Sequence, residues 1–287
     1  MKDSLLTDKK KREIVRSIKE ENFSNIISIL GKIKTDHANT AKTKDKRFVI
    51  SEIVRYVLER NVNPERDYFD IGIFFCNRSE DVAKEIGVSL IWRGYRYDKE
   101  IVEKYLIQIA DDPNWEVREY AGNAFANTLF QNHDFYKTVL SLTKHKSENV
   151  RRAVVFSGMA FREKNLLTKA FAIFEPLMFD SSKYVKKNLG PFILGSYFGN
   201  KYPVETIKQL KKWSKILDAN VRWNIIMSFN NSFGKRNPEA ALDVLKIFAG
   251  DADLSVKRAL KSTLNSLGKN HKKPVNEFIK KYKLSNC

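Results

Sequence analysis

One short pattern returns along this chain at a nearly constant interval. It reads Asp-Val-Ala-Lys at 81–84, Trp-Glu-Val-Arg at 115–118, Asn-Val-Arg-Arg at 149–152, Tyr-Val-Lys-Lys at 184–187, Asn-Val-Arg-Trp at 220–223 and Ser-Val-Lys-Arg at 255–258. The valines, Val82, Val117, Val150, Val185, Val221 and Val256, are separated by 35, 33, 35, 36 and 35 residues. A period of this length belongs to stacked helical pairs. One pair cannot bury its apolar face alone, so neighbours must cover it. The residues between the valines follow a helical rather than an alternating spacing, and no strand bounded by turn dipeptides is evident.

The grammar of each repeat is the same. A first helix ends, a polar turn follows, and a second helix opens on the valine and its cation. The turns are Asp111-Asp112-Pro113-Asn114, Lys146-Ser147-Glu148-Asn149, Asp180-Ser181-Ser182-Lys183, Asp218-Ala219-Asn220 and Asp251-Ala252-Asp253. Asp, Asn and Ser suit helix starts because their side chains accept the free backbone N–H groups there. Upstream, Ile14, Ile18, Phe23, Ile26, Ile27 and Leu30 describe one amphipathic start, and Phe48, Val49, Glu52, Ile53, Tyr56 and Val57 another. The stretch 37–46 lacks apolar spacing and reads as a loop. The expectation is an all-α solenoid of HEAT-like antiparallel helix pairs with a concave basic face. It forms a single domain over 1–287, with a helical cap and loop over 1–45, six to seven helix-pair repeats over 46–267 and a basic tail over 268–287.

From Val117 onward a cation follows every repeat valine, giving Arg118, Arg151, Arg152, Lys186, Lys187, Arg222, Lys257 and Arg258 at equivalent positions. Each sits in the first turn of its helix, where the macrodipole disfavours positive charge by a few tenths of a kcal/mol, so each needs a partner. One candidate is internal: the turn aspartates Asp112, Asp180, Asp218 and Asp251 pairing with the cation of a neighbouring repeat. The other is phosphate, with the second cation of each pair facing a groove. The whole chain carries 52 Lys and Arg against 34 Asp and Glu, a net charge of +18, as expected of a polyanion binder. Trp115, Tyr120, Tyr184 and Trp223 lie among these cations and are read either as core or as stacking faces.

The two cysteines, Cys76 and Cys287, make no disulfide framework, which fits a reducing compartment. The N-terminus lacks an apolar signal core and no run of about 18 apolar residues exists, so a cytoplasmic protein without membrane contact is expected. His37, His133, His145 and His271 are scattered, and Gly31, Gly87 and Gly190 are isolated, so no metal, phosphate-loop or cofactor site is indicated.

The stretches NVRRAVVF (149–156) and DSSKYVKKNLGPFIL (180–194) resemble the AlkD branch of the HEAT-like alkylpurine DNA glycosylases. NWEVREYAGNAF (114–125) and residues 237–264 resemble the AlkC branch. The resemblance spans about residues 80–267. It implies a monomeric protein that holds double-stranded DNA and hydrolyses the N-glycosidic bond of cationic N3- or N7-alkylated purines. It also implies a carboxylate, Glu116 or Glu119, that stabilises the sugar cation, Arg151 as backbone clamp, and Trp115 and Trp223 as packing faces. The two flanking tryptophans of the AlkD branch fall on Pro191 and near Asp112 here, and the glutamate of the AlkC branch near Phe156. A non-catalytic binder of damaged or branched DNA, and a scaffold for an acidic protein, are the alternatives.

Overall fold

The computed structural model describes residues 4–35 and 38–284. The described residues are all-α, with seventeen α-helices, short 3₁₀ turns, one π-helical stretch and no strand beyond a single antiparallel bridge between Lys34 and Ala41. The chain divides into two compact units, Met1–Thr138 and Val139–Cys287.

The first unit holds α1 (Asp8–Lys19), α2 (Phe23–Gly31), α3 (Thr43–Arg60), α4 (Pro64–Cys76), α5 (Asp81–Ile91), α6 (Lys99–Ala110) and α7 (Trp115–Gln131). Its core is built by Ile14, Ile26, Leu30, Val49, Ile53, Phe75 and Ile86, all fully buried. The apolar start read as one amphipathic segment is two helices. The chain breaks at Glu20–Asn22, where Glu21 adopts a left-handed φ of 53° and the Asn22 side chain caps α2.

The stretch read as a loop over 37–46 differs too. His37 lies outside the described residues, but Thr43–Lys46 opens α3, with Asp45 and Lys46 completely buried. Apolar periodicity is missing there because polar partners cover this end of the helix. Asp45 accepts from the Ser4 hydroxyl and from Leu5 N at 3.1 Å. Lys46 is held by carboxylates 39 and 70 residues downstream, Glu85 and Glu116.

After α8 (Phe135–Leu142), the second unit holds α9 (Glu148–Ser157), α10 (Leu167–Leu177), α11 (Lys183–Lys187), α12 (Pro203–Trp213), α13 (Ala219–Ser228), α14 (Ser232–Arg236), α15 (Pro238–Leu245), α16 (Leu254–Gly268) and α17 (Lys272–Lys281). The helix begun by α11 continues as a π-helix over Asn188–Gly199, which contains Pro191. Gly195 lets this wide stretch approach α13: a Cβ there would stand 2.3 Å from the Ser228 carbonyl oxygen. Phe198 of this stretch packs on Phe171 and Phe174, and Phe171 on Trp213, at 5.5–6.1 Å between ring centroids, two of the three pairs edge-on and one tilted.

The repeat valines are the pegs of both stacks. Val82 is 3% exposed, and Val117, Val150, Val185, Val221 and Val256 are fully buried. Five second helices are N-capped by the polar residue of their turn: Asn114, Ser147, Ser182, Asp218 and Asp253. Each cap stabilises its helix by about 1 kcal/mol.

Candidate functional site

The cation row resolves into distinct environments. Arg118, Arg151 and Arg222 turn back over the preceding turn and donate to its carbonyls. Arg118 Nη1 donates to Asp112 O at 2.7 Å and Pro113 O at 2.9 Å, Arg151 Nη1 to His145 O at 2.8 Å and Lys146 O at 3.0 Å, and Arg222 Nη1 to Leu217 O at 2.7 Å. These carbonyls belong to the turn, two to four residues beyond the end of the first helix, and they give each guanidinium acceptors beside the positive end of its own helix. These charge-assisted hydrogen bonds offset the macrodipole cost.

The internal ladder forms where the next turn offers an aspartate two residues before the N-cap. Lys84 reaches Asp112 at 2.8 Å. Arg151 grips Asp180 with two prongs, Nε to Oδ2 at 2.5 Å and Nη2 to Oδ1 at 3.1 Å. Arg222 Nε stands 2.7 Å from Asp251 Oδ2. Asp112, Asp180 and Asp251 also accept the N-cap backbone N–H of their own turn, at 2.8, 2.9 and 2.9 Å from Asn114, Ser182 and Asp253. One carboxylate therefore fixes a turn and ties it to the preceding repeat. The hydrogen bond to Asp180 holds the Arg151 guanidinium above its ordinary pKa.

Several residues of the expected DNA track are accordingly placed elsewhere. Arg151 and Arg222 are engaged by their neighbours, and Arg118 by two carbonyls. Asp218 is not a ladder acid. It is itself the N-cap of α13, and Ile216 stands at the ladder position. Lys186 instead reaches Asn220 Oδ1 at 2.9 Å and lies 4.7 Å over the Trp223 ring, half-buried, with its pKa lowered by desolvation.

Arg152, expected to face a groove, is 3% exposed. Its guanidinium lies between the Phe156 and Tyr184 rings at 4.8 and 4.6 Å. The aromatic faces that flank Arg152 thus draw this second cation inward. Lys187, Lys257 and Arg258 are exposed.

The candidate acids lie in the first unit. Glu116, Glu119 and Trp115 share a cleft of about 390 Å³ on α7, completed by Arg47, Trp92, Arg93 and Tyr120 from α3, the turn after α5, and α7 itself. Glu116 is not a free carboxylate: it accepts from the Lys46 ammonium at 2.7 Å, while Glu85 holds the same ammonium at 2.8 Å. Glu85 also accepts from Thr40 Oγ1 at 2.7 Å. Burial pushes the Glu85 carboxyl up to about 7, against the opposing pull of Lys46. The Tyr120 ring lies 4.7 Å beneath Lys46, and burial raises its phenol pKa. Glu119 is half-buried, and Asn123 donates to its main-chain carbonyl at 3.2 Å. Trp115 is 41% exposed at the mouth. Among the described residues no cluster of histidines, cysteines and acids could hold a metal ion. No described helix is long and apolar enough to cross a membrane.

Charge is divided very unevenly. Residues 1–138 carry 24 Lys and Arg against 23 Asp and Glu, whereas residues 139–287 carry 28 against 11, a net +17. Several of those few acids, Asp180, Asp243 and Asp251, are already held in ion pairs within the second unit. Almost the whole basic surplus of the chain belongs to the second unit, away from the acids of the cleft in sequence. The total charge concealed this, because the boundary that separates the halves carries no composition signal of its own.

No family model matches the chain, and no curated protein matches it. Among solved structures, the X-ray structure of YibA from E. coli is similar over 97% of this chain and 93% of that one, at 16% sequence identity and a TM-score of 0.39. Likeness at that level says nothing about activity. The HEAT-like assignment rests on the repeat, its buried valines and its capped second helices.

Proposed function

We propose that this chain binds double-stranded DNA through the basic surface of residues 139–284. The observation that carries the reading is the net +17 of the second unit against +1 in the first. A surplus of that size attracts phosphate without regard to sequence, and affinity then comes mainly from released counterions. The resemblance of 149–156 and 180–194 to DNA-holding HEAT-like proteins points the same way. The test is the affinity of the full chain for a fluorescent duplex from 50 to 200 mM salt. A linear fall of log K with log salt is expected; a flat response favours a scaffold for an acidic or apolar protein partner and refutes the proposal.

A second reading, excision of cationic alkylpurines, is favoured by one specific arrangement: Trp115, Glu116 and Glu119 open into the same cleft. Glu116, tethered to Lys46 at 2.7 Å, and Glu119 are the two carboxylates that could stabilise a developing sugar cation, and Trp115 is the face against which a lesion packs. A purine already carrying positive charge leaves without protonation, so no general acid is needed. On this reading the full chain releases 3-methyladenine or 7-methylguanine from alkylated duplex, and Glu116→Gln or Glu119→Gln abolishes release with the fold intact. Absence of base release from the wild type, with DNA binding retained, leaves the non-catalytic binder.

A further inference from the structure

The row of helix-opening cations ends differently from the way it runs. After Lys84, Arg151 and Arg222 the following turn supplies an aspartate. After Lys257 and Arg258, at the start of α16, the following turn reads Lys269-Asn270-His271-Lys272-Lys273. After Arg118 and Lys186 that ladder position holds His145 and Ile216, and after Lys257 and Arg258 it holds a cation, Lys269. The side chains of Lys257 and Arg258 are exposed and have no hydrogen bond or ion pair among the described residues.

Residues 254–284 hold nine Lys and Arg, all exposed, against one acid, Glu277. Arg258, Lys261 and Asn265 on α16 and Lys269 at its C-cap recur at three- and four-residue steps, so they share one side of the helix. At 1.5 Å per residue this strip is about 16 Å long, which matches roughly five phosphates of one DNA strand at 3.4 Å of axis each.

The apolar face of α17 is not available to a bilayer. Val275 and Phe278 are 3% and 7% exposed, and α17 packs on α16. A basic surface whose apolar side is already covered suits a polyanion rather than insertion among acyl chains.

We infer that the helix pair α16–α17 is the principal phosphate-gripping surface of the protein, which rests on the DNA-binding reading above. The interior cations build the stack, and this terminal pair holds the polyanion. The experiment compares two quadruple variants of the full chain, each lowering the charge equally. One is Lys257→Gln, Arg258→Gln, Lys269→Gln, Lys272→Gln. The other is Lys144→Gln, Lys208→Gln, Lys212→Gln, Lys215→Gln, at exposed positions elsewhere in the second unit. Circular dichroism melts check that both fold.

The salt slope of duplex binding changes by about 0.9 for each phosphate that the protein ceases to neutralise. The first variant is therefore expected to flatten it by about 3 to 4, and the second by less than 1. Equal flattening in both, or none in the first, overturns the inference while leaving DNA binding intact. A wild type without salt-dependent duplex binding refutes the parent reading instead. Retention by vesicles containing phosphatidylserine at salt concentrations where duplex is released, abolished in the first variant, reassigns the surface to membranes and overturns the inference.

Discussion

Replacing Arg151 by lysine keeps the charge and removes the fork, which separates a staple from a phosphate ligand. Arg151 makes four hydrogen bonds at once: two to Asp180, at 2.5 and 3.1 Å, and two to the carbonyls of His145 and Lys146, at 2.8 and 3.0 Å. The side chains are 19% and 6% exposed, so water screens the pair weakly. An ammonium is a compact donor that cannot span both groups in this geometry. Arg151→Lys therefore gives up at least one charge-assisted hydrogen bond, a loss of about 1.5–3 kcal/mol. For a chain of this size that lowers Tm by roughly 3–10 °C.

Arg151→Met leaves the Asp180 carboxylate with the Ser182 N–H at 2.9 Å and the more distant Lys186 charge, and costs about 3–5 kcal/mol. A double-mutant cycle with Asp180→Asn, read by urea denaturation, is expected to show a coupling of about 1.5–3 kcal/mol. Neither Arg151 variant is expected to alter the salt slope of DNA binding. An Arg151→Lys protein as stable as wild type refutes the staple, as does an Arg151→Met protein that lowers the slope by about one without loss of stability.

Three further outcomes follow from buried groups. Glu85 titrates at about 7 in the folded chain against an ordinary 4.5, so the folded state keeps its proton longer. Stability therefore falls as pH rises from about 4.5 to 7, by roughly 3 kcal/mol. Urea melts across that range measure it, and Glu85→Gln is expected to flatten the dependence. Cys76 is 3% exposed and burial pushes its thiol pKa far up; in a Cys287→Ser background a thiol reagent is expected to react only as the chain unfolds. Gly195→Ala drives a methyl to within 2.3 Å of a backbone carbonyl oxygen of α13. It is expected to destabilise the second unit by about 1–3 kcal/mol, visible as a lowered Tm.

The stack was legible in the sequence because its determinants are local. A buried valine and a capping Asn, Ser or Asp mark the second helix, and both lie within one turn of each other. The ladder was half legible: an aspartate two residues before the cap marks it, so Asp112, Asp180 and Asp251 qualify and Asp218 does not. Lys46 was invisible as a core residue because a charge is buried only when distant acids meet it. Its partners, Glu85 and Glu116, stand on other helices. Arg152 misled for the same reason, since its two aromatic neighbours reach it from the next turn of its own helix and from the following repeat. Composition signals how much charge a chain carries, and the fold decides where that charge is aimed.

Lysine labelling of the full chain, with and without a saturating duplex and read by mass spectrometry, tests the division of labour most directly. Protection is expected at lysines of residues 139–284, strongest at Lys257, Lys269 and Lys272, with those of residues 1–138 unchanged. Protection confined to the first unit, or no protection of the α16–α17 pair, contradicts the account.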